Sequence, residues 1–235
     1  MSCTLPMSLL ALALIAPANA QFGKIFDRLG GGGGATDKKT ASGLKEALQI
    51  GTDNAVSLTG TKDGFFKNEA IKILLPEKLK TVERGLRMTG MGSKLDEFEL
   101  SMNRAAERAA PAARSIFKEA LTEMTFDDAR KILTGGNTSA TEYFKGRTSG
   151  RLTDAFKPTV ESAMEETGVV KQYKQLSGGI SSLPFGGGTS FDITGYVVGK
   201  SLDGLFYMLG EEEKKIRNNP AARVTPLLKE VFGKR

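Results

Sequence analysis

The chain has 235 residues, with 33 Lys and Arg against 27 Asp and Glu, and 40% of its residues are hydrophobic, which is typical of a soluble globular protein. It contains no His, no Trp and one Cys, so Ser-His-Asp and Cys-His catalysis are excluded, as are the usual zinc, haem and iron–sulfur ligand sets. The net charge of +6 is spread along the chain without a dense Lys/Arg run, so we predict no nucleic-acid partner, no metal and no cofactor.

The first twenty residues have the pattern of a cleavable secretory signal. Residues 1–20 carry no charged side chain, Leu5–Ala18 is almost wholly apolar, and Ala18-Asn19-Ala20 is a small-x-small cleavage site. No Lys or Arg precedes the apolar run, and an uncleaved anchor is the alternative, but the run is shorter than the roughly 20 residues that span a bilayer. Cys3 precedes the apolar core, which is not the position of a lipid-modified Cys. We therefore predict a periplasmic or secreted protein, cleaved before Gln21 and without a transmembrane span.

Residues 21–41 are predicted to form a short amphipathic segment and a linker. One face of a short helix is formed by residues at i, i+3, i+4 and i+7, namely Phe22, Ile25, Phe26 and Leu29. This helix can contact a membrane surface or a partner, or it can be a frayed terminus. The run Gly30–Gly34, with Ala35–Asp37 after it, indicates a flexible linker. A single folded domain is then expected over residues 42–235.

From Ser42 the apolar spacing is helical. A seam ended by Gly60 consists of Leu44, Leu48, Gly51, Ala55 and Leu58. Thr61–Gly64 is predicted to be a turn, because Asp-Gly tolerates a positive φ. Ile71–Leu75 is interpreted as a short strand or a helix. Pro76 is expected in the first turn of the next helix, whose buried face would consist of Leu79, Val82 and Leu86.

The longest apolar stripe runs from Ser93 to Met124, and Pro111 inside it predicts a kink or a split. Two capping pairs follow, Thr125 with Asp128 and Ser139 with Glu142, and each predicts the start of a helix. The first of these helices is expected to end at Gly135-Gly136. A further stripe, predicted to be interrupted by Pro158, consists of Leu152, Ala155, Phe156, Val160 and Met164.

The last third repeats this pattern of apolar stripes and breaks. A stripe from Val169 to Leu176 precedes a loop at Ser177–Thr189, and a strongly apolar helix follows from Val197 to Leu209. The charged run Glu211–Arg217 is interpreted as a solvated helix end, or as a partner of the long helix across the fold. Asn219-Pro220 is interpreted as a cap and first-turn proline for a last helical stripe, Leu227–Phe232. We therefore predict an all-α, multi-helix, bundle-like single domain, with at most one very short strand near residues 71–75.

Gly195–Ser201 resembles a phosphate-binding loop, but it is one residue short of the required spacing. Val197 and Val198 also begin a helical apolar pattern in a place where the loop would need free backbone N–H groups. We therefore do not predict a nucleotide site.

Four polar residues on the long helix are candidates for ligand binding: Glu99, Asn103, Arg104 and Glu107. They lie at the edge of the predicted buried face, where a polar residue either lines a site or belongs to a salt-bridged helix edge. Carboxylate-based hydrolysis would need two such acids facing across a cleft.

The order of segments resembles the bacterial family known as domain of unknown function 4197. The segments that carry the resemblance are Ser42–Leu48, Leu75–Glu77, Asp96–Glu107, Asp128–Gly135, Thr141–Phe144, Leu202–Phe206, Glu211–Arg217 and Leu227–Gly233. The resemblance implies an exported, mainly helical protein. It supplies no catalytic or binding residues.

Three functional hypotheses follow. A non-enzymatic protein that binds another protein or an envelope component is favoured, because the usual nucleophile and metal chemistry is excluded. The second is a carrier of an apolar small molecule or lipid, whose cavity would be lined by Phe98, Met102, Phe117, Phe206 and Met208. The third is a carboxylate-based hydrolase, which predicts two acids in one cleft.

Overall fold

A computed structural model describes residues 34–77, 80–88, 90, 92–166 and 192–219. Its helices are α1 (Gly34–Gly60), α2 (Lys80–Met88), α3 (Gly92–Ala109), α4 (Ala113–Glu123), α5 (Phe126–Thr134), α6 (Ser139–Glu166) and α7 (Ile193–Asn218). The described residues contain no strand, so the all-α prediction is confirmed. The chain divides into two units between Lys39 and Thr40, and the contacts given below all lie among described residues of the second.

Helix α6 is the centre of the bundle, since it packs against α3, α4, α5 and α7. Its stripe of Leu152, Phe156, Val160 and Met164 is buried as its spacing predicts. Phe117 of α4 meets Phe144 of α6 edge-on, with ring centroids 5.2 Å apart, and Phe206 of α7 at 6.3 Å. The residues proposed to line a carrier cavity belong to this packed interior: Phe98, Met102, Phe117 and Phe206 are buried, and Met208 packs at its margin.

Pro111 splits the long stripe, as predicted. Helix α3 ends at Ala109, a single 3-10 turn covers Ala110–Ala112, and α4 begins at Ala113. Proline has no N–H to continue the helical ladder, so the α-helical hydrogen bonding is interrupted here. The end of α1 lies against this break, because a Cβ on Gly60 would be 3.1 Å from Cγ of Pro111.

Pro158 does not interrupt α6, contrary to the prediction, and the helix continues to Glu166. The proline ring is exposed, and so is Asp154, whose carbonyl oxygen loses its helical hydrogen bond. That oxygen can therefore bind water. Phe156 and Val160, on either side of the proline, are fully buried, and their packing holds the helix through the weak point.

Two other predictions also need correction. Helix α1 begins at Gly34, so Ala35–Asp37 is helical and not part of a flexible linker. Ala35 and the Lys38 and Lys39 that follow this stretch favour helix. Ile71–Leu75 forms neither helix nor strand. It is the last part of an irregular segment, Thr61–Pro76, which we call the strap, and side chains of α3 hold it in place.

Gly195–Ser201 lies within α7, which begins at Ile193 and is capped by the Asp192 side chain accepting from Gly195 N at 2.8 Å. A helical segment cannot form a phosphate-binding loop.

Some predictions fall outside the described residues: the signal, Phe22–Leu29, Leu79, the side chains of Val82 and Leu86, the stripe and loop over 169–189, and Leu227–Phe232. Of the described helices, none has both the length and the apolar character to span a membrane.

Candidate functional site

The structure brings the four candidate residues of α3 together along one side of the helix, where they contact the strap. Asn103 and Glu107 are buried, and Glu99 and Arg104 are partly exposed. The strap has its own buried side chains on the other side of this contact, namely Phe65, Ile71, Ile73 and Leu75. The polar edge of α3 is therefore an internal interface between a helix and an irregular segment.

Asn103 holds the last part of the strap through hydrogen bonds to the backbone of Ile73. Its Oδ1 accepts from Ile73 N at 2.8 Å, and its Nδ2 donates to Ile73 O at 2.8 Å. The same Nδ2 also donates to the backbone oxygen of Glu99 at 2.8 Å. One amide side chain thus makes hydrogen bonds to both the N–H and the C=O of the buried Ile73. In a helix or a strand, other backbone groups would supply these bonds.

Glu107 holds the beginning of the strap. Its Oε1 accepts from the backbone nitrogens of Phe65 and Phe66, each at 3.1 Å. Its Oε2 accepts from Arg104 Nη1 at 2.5 Å. The carboxylate is buried, so two backbone N–H groups and one guanidinium replace the water that it loses.

Arg104 continues the chain of charges to the turn at the beginning of the strap. Its Nη2 donates to Asp63 Oδ1 at 2.5 Å, and Lys67 Nζ lies 2.9 Å from Asp63 Oδ2. Asp63 has a φ of 69°, as the prediction of a turn at Asp-Gly requires. Hydrogen bonds from Lys67 and then Arg104 lower the pKa of the Asp63 carboxyl below its usual value.

Glu99 completes the interface through Lys72, whose Nζ lies 2.7 Å from Glu99 Oε1. The same Nζ lies 4.8 Å from the ring centre of Phe66, and Arg104 Cζ lies 5.8 Å from that centre. Phe66 thus contacts two cations that are themselves paired with acids of α3. All four predicted residues bind groups of the protein itself.

The lowered pKa of Asp63 predicts how stability depends on pH. Since the pKa is lower in the folded state than the value of about 3.9 in the unfolded state, Asp63 stabilises the fold above that value. This stabilisation is lost as the pH falls through the folded pKa. Asp63→Asn removes the charge and still tolerates a positive φ. The variant should unfold at lower denaturant concentration at pH 7, and its difference from the wild type should shrink below about pH 4. A difference that stays constant with pH would show that the charge is not its cause.

Replacing Asn103 by Leu is expected to lower the free energy of unfolding by about 2–3 kcal/mol, because Ile73 would keep a buried N–H and a buried C=O without partners. Denaturant unfolding measures this change. Glu99→Gln is the control, since it weakens only a partly exposed ion pair and should change stability by less than about 1 kcal/mol. Equal effects of the two substitutions would contradict the role given to Asn103.

A second polar cluster, which was not predicted from the sequence, surrounds Glu213 of α7. Glu213 Oε1 accepts from Ala140 N at 2.9 Å, and Oε2 accepts from Thr141 N and Thr141 Oγ1, both at 2.8 Å. Glu213 therefore caps the first turn of α6 from another helix. The predicted capping box of Ser139 with Glu142 is wrong, since Ser139 Oγ donates to Gly136 O at 3.2 Å and Glu142 is exposed.

Arg217 extends this cluster to the end of α5. It is only 2% exposed, and it donates from Nε to Glu213 Oε1 at 2.9 Å and from Nη2 to Ile132 O at 2.8 Å. The cation thus lies at a helix C-terminus and the anion at a helix N-terminus, which is the favourable arrangement for both helix dipoles. One ion pair on α7 thus binds both the last turn of α5 and the first turn of α6.

Glu212 connects the same helix to α1. Its Oε2 accepts from Asn54 Nδ2 at 3.0 Å, and its Oε1 lies 2.5 Å from Lys215 Nζ. The prediction of a solvated helix end is thus wrong for Glu212, Glu213 and Arg217, which are buried. A signal was present in the sequence, because these positions continue the apolar spacing of Leu202–Leu209 along α7.

Both clusters bind backbone groups and helix ends. Within the described ranges, no group of three or more acidic residues is placed to hold a metal ion.

The family model described as "Protein of unknown function (DUF4197)" matches residues 34–233. That range contains all the segments that carried the resemblance. Nothing among curated proteins matches the chain, and nothing among solved structures does.

Proposed function

The chain belongs to the DUF4197 family, and on that premise we propose that it is an exported, non-enzymatic protein that binds an envelope component. Export is inferred from the signal-like pattern of residues 1–20, which has an apolar run and an Ala18-Asn19-Ala20 cleavage site. A protein of this kind acts through its surface, and its interior serves to keep that surface rigid.

The observation that carries the proposal is the use of the buried polar groups. Glu107 binds two backbone N–H groups of the strap, and Glu213 binds two of α6. Asn103 binds the backbone of Ile73 on both sides. A general acid or a nucleophile needs an atom that reaches a substrate, whereas these groups stabilise the fold. This favours binding over hydrolysis.

Export is tested by expressing the tagged chain in a bacterial host, separating periplasm from cytoplasm, and determining the mature N-terminus by mass spectrometry. We expect a periplasmic protein that begins at Gln21. A protein that stays in the cytoplasm with Met1 intact would overturn the export part. Ala20→Leu is the matched variant, because it blocks a small-x-small site while leaving the mature chain unchanged.

The binding part is tested on the protein purified from the periplasm. Cross-linking in intact cells, followed by mass spectrometry, should give a reproducible partner that persists in a reciprocal experiment from the partner's side. Native mass spectrometry of the same sample distinguishes the carrier hypothesis. A lipid or other apolar molecule retained in a one-to-one ratio would overturn the proposal in favour of a carrier.

A further inference from the structure

The methionines of the described residues differ sharply in their exposure to solvent. Met88, the last residue of α2, is 83% exposed, whereas Met102 and Met164 are fully buried and Met124 is 5% exposed. Met208 lies between these extremes and is partly buried. Dissolved reagents can therefore reach the Met88 thioether directly, while three other thioethers lie inside the core.

The end of α2 is held by the residue before Met88. Arg87 Nε lies 3.0 Å from Glu83 Oε1, and Arg87 Nη2 lies 2.8 Å from Asp96 Oδ1. The guanidinium thus joins α2 to the first turn of α3, and the Met88 side chain extends into solvent beside it. A polar atom added to the Met88 sulfur would stay in water, so the packing of the helices would not change.

The other described methionines are protected by their surroundings. Met102 and Met164 belong to the core cluster, on α3 and α6. An oxygen atom added to either sulfur would place a strongly polar group in an apolar interior. The Met208 Sδ accepts a hydrogen bond from Asn68 Nδ2 at 3.5 Å, so one of its lone pairs is already engaged. A reagent reaches the core sulfurs only when the structure opens.

We propose that Met88 is an oxidation site, at which a peroxide converts the thioether to the sulfoxide while the protein stays folded. A lone pair of the sulfur attacks one peroxide oxygen, and the S–O bond forms as the O–O bond breaks. The sulfur loses two electrons, and with hydrogen peroxide the second oxygen leaves as water with both protons. The product is a substrate for methionine sulfoxide reductases, which restore the thioether.

The test is oxidation of the purified, folded protein with hydrogen peroxide, stopped with free methionine and followed by tryptic digestion and mass spectrometry. Met88 and Met91 share the peptide that follows Arg87 and ends at Lys94, so fragment ions must separate these two positions. We expect Met88 to react at least about 10-fold faster than the methionines at 102, 124 and 164, because those sulfurs react only in the opened protein. In denaturant the rates should become similar.

The matched variant is Met88→Leu, which should lose the rapidly formed product and keep the denaturant midpoint of the wild type. Wild-type protein oxidised at Met88 should also keep that midpoint, and a mixture of the reductases for both sulfoxide epimers should remove the added oxygen. Equal rates for Met88 and the core methionines in the folded protein would overturn the proposal. So would a Met88 that reacts only in denaturant, or a midpoint that falls when Met88 alone is oxidised.

Discussion

Replacing Glu213 by Ala should lower the free energy of unfolding by about 3–5 kcal/mol, the range measured when one partner of a buried ion pair is removed. The substitution leaves the guanidinium of Arg217 buried without its carboxylate and removes the acceptor for Ala140 N and Thr141 N. Denaturant unfolding followed by circular dichroism measures the change. The loss should be larger than that of any single surface ion pair.

Two matched variants separate the causes. Glu211→Ala, two residues away on the same helix, removes a pair with Lys214 at 2.7 Å that is partly exposed, so it should change stability by less than about 1 kcal/mol. Glu213→Gln keeps an acceptor oxygen for the first turn of α6 and removes the charge, so its effect should be intermediate. If Glu213→Ala is as mild as Glu211→Ala, the carboxylate does not join these helices.

Phe65→Ala should cost about 3–5 kcal/mol, because the ring is fully buried and its removal leaves a cavity between the strap and α7. The neighbouring Phe66→Ala is the control, since that ring is only partly buried and should cost less. Both are measured by the same denaturant unfolding. Equal losses would mean that the strap is not held by Phe65.

Gly204 explains how the ring fits and allows a sharper test. A Cβ at this position would overlap Phe65 Cε1 and lie 3.1 Å from Ile71 Cβ. Glycine lowers the stability of a helix interior relative to alanine, but its lack of a side chain lets the Phe65 ring contact the backbone of α7. Gly204→Ala should therefore destabilise the wild type, and it should destabilise the Phe65→Ala background less. Strictly additive effects in this double-mutant cycle would contradict the contact.

The features that could be predicted from the sequence are those that depend on neighbouring residues. Gly60 ends a helix, Pro111 splits one, and Thr125 with Asp128 starts one, because turn, break and capping signals act over a few residues. The apolar stripes give the buried faces for the same reason. Pro158 shows the limit, since core packing on both sides overrides a local signal.

The polar interior could not be predicted in the same way, because its contacts join distant parts of the chain. Asn103 bonds a residue 30 positions away, and Glu213 caps a helix that begins more than 70 positions earlier. No local pattern says which backbone groups will need partners. The candidate residues of α3 were correctly placed at the edge of the buried face. Their partners depended on the course of the strap.

The cap that Glu213 provides joins segments that are synthesised far apart in time. The first turn of α6 gains its partner from a residue 73 positions later, and Asn54 of α1 gains Glu212 from 158 positions later. During synthesis, the segments before α7 therefore leave the ribosome without these long-range closures. The N-terminus of α6 and the Asn54 side chain of α1 can therefore gain these partners only after the residues of α7 have been synthesised.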